Sequence, residues 1–320
     1  MEHRWTNLVV TLFWLSTMSW LMVEKVLPPL RRGDPPSFRS VYAGLDASVA
    51  PIGWSVTWNS SPVGWATSVP THPTVGMTEI RSHVHFSRIP VDEMAPIWMR
   101  GFVHDAIAPL GKQIHMDAFS RLEIDPLNRL SGFRSSIRVG DIPEEIVIEG
   151  TVEGSQLKLR VDAGGANYMT ERYLPRDALI GDELSPQARM PGLHLGQVWT
   201  VPVYNPLRPP DSPMEILQAS VEGRETLMWN GAGVNTLLVV YRSDSGSTYG
   251  ASRAPRGKMW VDDSGAVLRQ EMDLLGSKLA FVRLPPELTA RRSSDANGEA
   301  WQRAFRRRIE EMSRDAGSDW

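Results

Sequence analysis

His83 and His85 stand two apart, a spacing that places both imidazoles on one face of an extended chain, and such a pair can ligate zinc or copper. Glu79 and Arg81 share that face in the alternation of Thr78–Arg88, so a solvated polar face is the plainer expectation. No third ligand stands at metal spacing: His104 and His115 are remote in sequence, and no HExxH pattern is present. The carboxylate pairs Glu144-Glu145, Asp182-Glu183 and Asp262-Asp263 contain the groups of a general acid and base. Neighbours on a strand point to opposite faces, however, and Asp262-Asp263 falls where a turn favours Asp for local reasons. In Gly246–Gly250 the serine is second instead of third, so no nucleophile elbow forms. From Gly250 to Lys258 the phosphate-loop spacing fails, and Met259 stands where a magnesium-binding hydroxyl belongs.

The chain has no cysteine, which removes disulfides, thiolate metal sites, iron–sulfur clusters and cysteine nucleophiles together. A net charge of -3 lacks the basic surface that nucleic acid requires. The expectation is therefore a protein that is not an enzyme, with catalytic residues none, metal none and cofactors none. Tryptophans offer the other kind of site. Trp54, Trp58, Trp65, Trp98 and Trp199 are candidates for lining an apolar ligand cavity, against the plainer role of filling the core of a bent sheet.

The elements that must position these residues are mostly hairpins. Residues Gly53–Ser68 flank a turn-forming Asn59-Ser60-Ser61-Pro62. Ile146, Ile148, Gly150 and Val152 alternate with polar neighbours, and Leu157, Leu159 and Val161 repeat the device after Glu153-Gly154-Ser155. Ser220–Tyr241 and Lys258–Met272 are built alike around Asn230-Gly231-Ala232-Gly233 and Asp263-Ser264-Gly265. Two helices are expected in the body. One is capped by Asp92 and carries Met94, Ile97, Trp98, Phe102 and Ile107; the other, over 286–320, is basic and amphipathic with Trp301, Phe305, Ile309 and Met312 on one face.

Residues Asn7–Val23 carry no charge and make a helix ~26 Å long, near the short limit for a hydrocarbon core of ~30 Å. No small-x-small cleavage site follows directly, so the expectation is an uncleaved signal-anchor, a transmembrane helix within an N-terminal membrane anchor over 1–27. A Pro-rich tether over 28–40 leads to a β-rich domain over 41–285. Arg4 precedes the span while Lys25, Arg31, Arg32 and Arg39 follow it, a count that by itself would put the body in the cytoplasm.

The stretches GWSVTWNSSPVGWA, LEIDPLNRLSGFRSSIRV with IVIEGTVEG, MPGLHLGQVWTVPVYNP and GKMWVDDSGAVLRQEMDLLGSKL, within about residues 50–285, resemble a bacterial envelope region. It is the β-rich region that precedes the catalytic domain of membrane-associated transglutaminase-like proteins. The order of elements is also similar to that of the LolA/LolB-like periplasmic families. The resemblance implies an α+β, mainly β fold: a strongly curved antiparallel half-barrel wrapped on a helix, with the body periplasmic on the inner membrane. It implies a non-catalytic protein whose partner is a lipid, a lipoprotein or a membrane protein. The alternatives are an accessory subunit of a transglutaminase-like, protease or transporter system, and a hydrolase using carboxylates or histidines. Transglutaminase activity is not implied, because the chain lacks the cysteine.

Overall fold

The computed structural model describes residues 2–23, 36, 51–71, 76–89, 114–127, 129–140, 142, 144–174, 181–182, 185–204, 214–243, 254–274 and 276–294. A helix, α1 (Glu2–Leu21), precedes a run of strands. In the first half these are β1 (Ile52–Trp58), β2 (Ser61–Thr71), β3 (Thr78–Ile89), β4 (Ile114–Ile124), β5 (Leu130–Val139), β6 (Ile146–Glu153), β7 (Gln156–Ala163) and β8 (Ala166–Tyr173). The second half supplies β9 (Gly181–Asp182), β10 (Val198–Tyr204), β11 (Met214–Trp229), β12 (Ala232–Ser243), β13 (Gly257–Asp262), β14 (Val267–Leu274) and β15 (Ser277–Arg283), followed by α2 (Pro286–Ser294).

All fifteen strands join one sheet in the order β8-β7-β6-β5-β4-β3-β2-β1-β15-β14-β13-β12-β11-β10-β9. Each half is thus a meander, and the halves meet where β1 pairs antiparallel with β15, Val56 opposite Phe281. Among the described strands only the short β9 runs parallel to its neighbour. The outermost strands β8 and β9 follow one another in the chain yet do not pair, so the sheet is not closed. The mainly β, antiparallel expectation is met, with more strands than the four hairpins foreseen.

The hairpins follow from local chemistry. Asn59 and Ser60 both adopt positive φ (47° and 72°), as do Asn230 and Gly231 (50° and 79°). That is the twist-matched two-residue turn that suits right-handed strands. The first of these turns also reaches across the junction: Asn59 N–H donates to Lys278 O at 2.9 Å, and Lys278 N–H donates to Asn59 Oδ1 at 2.8 Å.

Alternation then decides the core. Trp54, Val56, Val84, Ile148, Leu157, Leu159, Val239, Val261, Leu279 and Phe281 are almost wholly buried in one cluster drawn from both halves. A single cluster fed by strands that distant in the order means the sheet curves around one shared inner face without closing. A segment between β9 and β10 crosses that interior. Ser185 Oγ lies 2.8 Å from Ser120 Oγ on β4, Gln187 N–H donates to Gln270 Oε1 on β14 at 3.0 Å, and Arg283 on β15 donates to Ala188 O at 2.9 Å. On the outer face α2 packs against β1, where a Cβ on Gly53 would fall 2.7 Å from Thr289 Oγ1.

One expectation needs correcting. Among the described residues no helix is long and apolar enough to cross a membrane, so the transmembrane helix expected over residues 7–23 is not found. The α-helix runs from Glu2 to Leu21, taking Arg4 and Asn7 into its length, and Met22 and Val23 continue it as a π-helical turn. The helix expected after Asp92, most of the 28–40 tether and the apolar face from Trp301 to Met312 lie outside the described residues; α2 is the described part of the C-terminal helix.

Candidate functional site

Strand β3 has one apolar face, with Val84 and Phe86 buried in the core, and one polar face carrying Glu79, Arg81, His83 and His85. Pairing sets what that polar face meets. On β2, Trp65 lies opposite His85 and Thr67 opposite His83; on β4, Asp117 lies opposite His85 and Phe119 opposite His83. Cross-strand neighbours stand within side-chain reach, so the register assembles a cluster from three strands.

Its centre is Asp117. His83 Nε2 lies 2.7 Å and His85 Nδ1 2.9 Å from the same oxygen, Oδ1. Phe119 stacks on His83 with ring centroids 4.1 Å apart at 13°, while Trp65 meets His83 edge-on at 5.0 Å and stacks on His85 at 5.5 Å and 30°. His83 is only 3% exposed, and Glu79 beyond it 2%. The solvated polar face expected from the alternation is therefore not what forms at these two residues. The pattern reports which face is polar, and covering that face is a tertiary event.

Electrostatics follow from burial and the shared carboxylate. Burial, opposed by the hydrogen bond and charge of Asp117, holds His83 below its ordinary value of 6.5. Burial alone would raise Asp117, but its hydrogen bonds from His83 and His85 outweigh that and hold it far below the usual carboxylate range. An ionised carboxylate accepts only, so each imidazole turns an N–H toward Oδ1. Both rings thus aim hydrogens, not lone pairs, at their common point. Among the described residues no group of three His, Cys, Asp or Glu is arranged to hold a metal.

A linkage consequence can be measured. An imidazole whose folded value is depressed disfavours folding in acid, because the unfolded chain takes up a proton that the folded one resists. The contribution is intact above about 6.5 and is lost as pH falls through the folded value of His83. Asp117 adds loss in the same direction below its ordinary 3.8. Denaturation midpoints between pH 7.5 and 5 should fall for the wild type and stay flatter for His83→Gln. Parallel profiles would remove His83 as the cause.

The polar face continues as a charge ladder. Arg81, Arg121 and Arg134 stand in register across β3, β4 and β5. Glu79 receives Arg81 and Arg121, Arg121 also meets Glu123 at 2.5 Å, and Arg134 meets Glu149 at 2.6 Å.

The tryptophans expected to line a cavity are separated by the fold. Trp54 and Trp199 are fully inside, opposite Ala66 and Ala219, and Trp58 joins the same core. Trp65 pairs with Ser55, on the opposite face of the sheet, against the histidines. Trp98 lies outside the described residues. Inside the roll the indole N–H groups of Trp54 and Trp199 are buried with no hydrogen-bond partner among the described residues. Of the carboxylate pairs, Asp262 is spent on its turn, accepting from Ser264 N–H, Ser264 O–H and Ala266 N–H. Glu145 accepts from Ser136.

No family model matches the chain, and no curated protein matches it. Among solved structures it is similar to a β-barrel-like protein of the domain of unknown function DUF1849 from Brucella abortus, at 10% identity and a TM-score of 0.43, covering 73% of this chain and 94% of that one. It is also similar to a DUF1089 family protein from Pseudomonas aeruginosa, at 13% identity and a TM-score of 0.30, covering 71% and 92%.

Proposed function

We propose that the protein is a non-catalytic module of the bacterial envelope, held at a membrane surface by α1, whose rolled sheet binds a lipid, a lipoprotein or a membrane-protein partner on the extracytoplasmic side. The observation that carries this reading is the surface of α1. Phe13 is 72% exposed, Trp20 63%, Val23 62% and Trp14 58%, and Leu12, Leu15, Met18 and Met22 accompany them. A contiguous apolar surface of that kind does not persist in water and marks a membrane or protein contact. One hydroxyl fits the same setting: Thr17 returns its O–H to Phe13 O at 2.9 Å. Trp, Phe and Leu are also the residues by which a helix beds into the headgroup boundary without crossing it.

The non-catalytic part of the reading is supported by how His83, His85 and Asp117 are used. Both imidazoles spend an N–H on one carboxylate and are clamped by Trp65 and Phe119, a structural arrangement. Flotation with vesicles of phosphatidylethanolamine and phosphatidylglycerol tests the attachment. The full chain should rise with the lipid, and Phe13→Glu/Trp20→Glu should lower the floated fraction at least tenfold. Equal flotation of the two, or a wild type that stays at the bottom, would end the proposal.

A further inference from the structure

Strand β8 forms one margin of the sheet, paired with β7 on one side and with no described strand on the other. Its hairpin closes through Gly164 and Gly165, both at positive φ (56° and 86°), with Ala163 opposite Ala166. At the far end Leu174 N–H donates to Ser155 O at 2.8 Å. In an antiparallel ladder a residue turns its N–H and its C=O to the same neighbour, and successive residues alternate sides. The even-numbered residues of β8 therefore bond to β7, as Leu174 does, while Asn167, Met169, Glu171 and Tyr173 turn their backbone groups outward. All four are exposed, Met169 at 74% and Tyr173 at 77%.

An open margin of this kind is a template for another strand, and sheets guard against it with proline, a bulge or a cover. The opposite margin is guarded: β10 carries Pro202, and the short β9 caps it at Val203 and Tyr204. β8 has none of these devices. Its eight residues contain no proline, and its register with β7 runs unbroken from Gln156 opposite Tyr173 to Ala163 opposite Ala166. Glu171 and Arg172 are its charged residues and have opposite signs, so the strand does not repel a copy of itself.

We propose that β8 is a dimerisation edge, to which a second copy of this chain adds its own β8 antiparallel, with Thr170 opposite Thr170 on the two-fold axis. The axis lies along the sheet normal, which keeps inner face beside inner face and joins the two sheets into one. Outward backbone groups then meet outward backbone groups: Asn167 pairs with Tyr173 of the partner subunit, and Met169 with Glu171 of the partner subunit. Charge selects this register. Moved one step toward the C-terminus it sets Glu171 against its own copy, and moved the other way it leaves Tyr173 opposite Gly165 in the turn. On the inner face Arg172 stands across from Tyr168 of the partner subunit, a guanidinium beside a ring. The edge depends on neither α1 nor a lipid.

The chain has no cysteine, so a single introduced thiol has only its own copy to bond with. Residues opposed in a pair that exchanges no backbone bonds have Cα atoms about 4.5 Å apart, within disulfide reach, which is the position of Thr170 at the axis. The two Tyr173 positions would stand ~20 Å apart. Full-length Thr170→Cys, Tyr173→Cys and Lys158→Cys, the last on β7 behind the edge, are oxidised with copper phenanthroline in dodecyl maltoside, and covalent dimer is read on non-reducing gels. Thr170→Cys should give at least tenfold more dimer than either of the others. Adding Met169→Pro, which removes an N–H that β7 does not use, should cut the Thr170→Cys dimer at least tenfold. Should the proline unfold the strand, the comparison of the three thiols decides alone. A Thr170→Cys dimer no greater than the other two, or one that persists in a folded Met169→Pro background, overturns the proposal. A chain that stays monomeric here yet floats with vesicles leaves the attachment by α1 standing, so the two proposals fail separately.

Discussion

Gly150→Ala should lower the stability of the body by about 3 kcal/mol, and Phe133→Leu in the same chain should restore a large part of the loss. Gly150 and Phe133 are opposed on β6 and β5, both facing inward. A Cβ at Gly150 would lie 2.1 Å from Phe133 Cε1 and 2.5 Å from its Cζ, far inside carbon–carbon contact, so the ring occupies the space the glycine leaves. A glycine in a strand is ordinarily a weak point, and alanine would gain about 0.4–1 kcal/mol through the unfolded chain. Here the overlap outweighs that gain, because Phe133 is held between Leu122 and Gly150 across adjacent strands. Urea midpoints for the two single variants and the double variant give the coupling. Additive losses, or a Gly150→Ala protein as stable as the parent, would show that the ring moves aside freely.

Glu79→Gln comes next in size, at about 3 kcal/mol. The side chain of Glu79 is 3% exposed and receives both Arg81 and Arg121, whose own side chains are 24% and 20% exposed. Neutralising the carboxylate takes the partner from Arg81 and leaves Arg121 with Glu123, the costly case for a buried ion pair; partial exposure of the arginines trims the loss through solvent screening. The exposed pair Lys158–Glu153, at 46% and 59%, is the control, and Glu153→Gln should move the urea midpoint by no more than the error. Equal shifts in the two variants would mean the ladder on β3 and β4 is as wet as the hairpin of β6 and β7.

What could be read from the sequence divides along the same line. The hairpins of β1 and β2, β6 and β7, β11 and β12, and β13 and β14 are visible because alternation and turn residues are local: Asn59-Ser60 and Asn230-Gly231 state their turn by type. The apolar face of β3 is visible for the same reason. The partner of His83 and His85 is not, although Ile114–Ile124 alternates and carries Asp117 on the face of Phe119, Arg121 and Glu123. Knowing that Asp117 stands opposite His85 requires the register between β3 and β4, and more than twenty residues separate the two strands. Arg283 is harder still. It sits at the end of a strand whose inner neighbour, β1, lies at the other end of the body, and loop-closure entropy gives no local residue a reason to announce such a contact. The tryptophans show the parity problem. Trp54 and Trp65 differ in face because of one hairpin turn and the irregularity between Val56 and Thr57, and neither can be counted through by alternation alone.

The pairing of β1 with β15 has a consequence for how the polypeptide could be rewired. Because the first and last strands of the body touch while the outer strands β8 and β9, which do not pair with each other, are successive in sequence, joining residue 294 to residue 51 through a linker and opening the chain between 174 and 181 would make chain order and spatial order coincide. Every strand contact would then be a nearest-neighbour one. Such a circular permutant would exchange its most distant encounter for a local turn, and would carry its new ends at the one place where the sheet already lacks a bond.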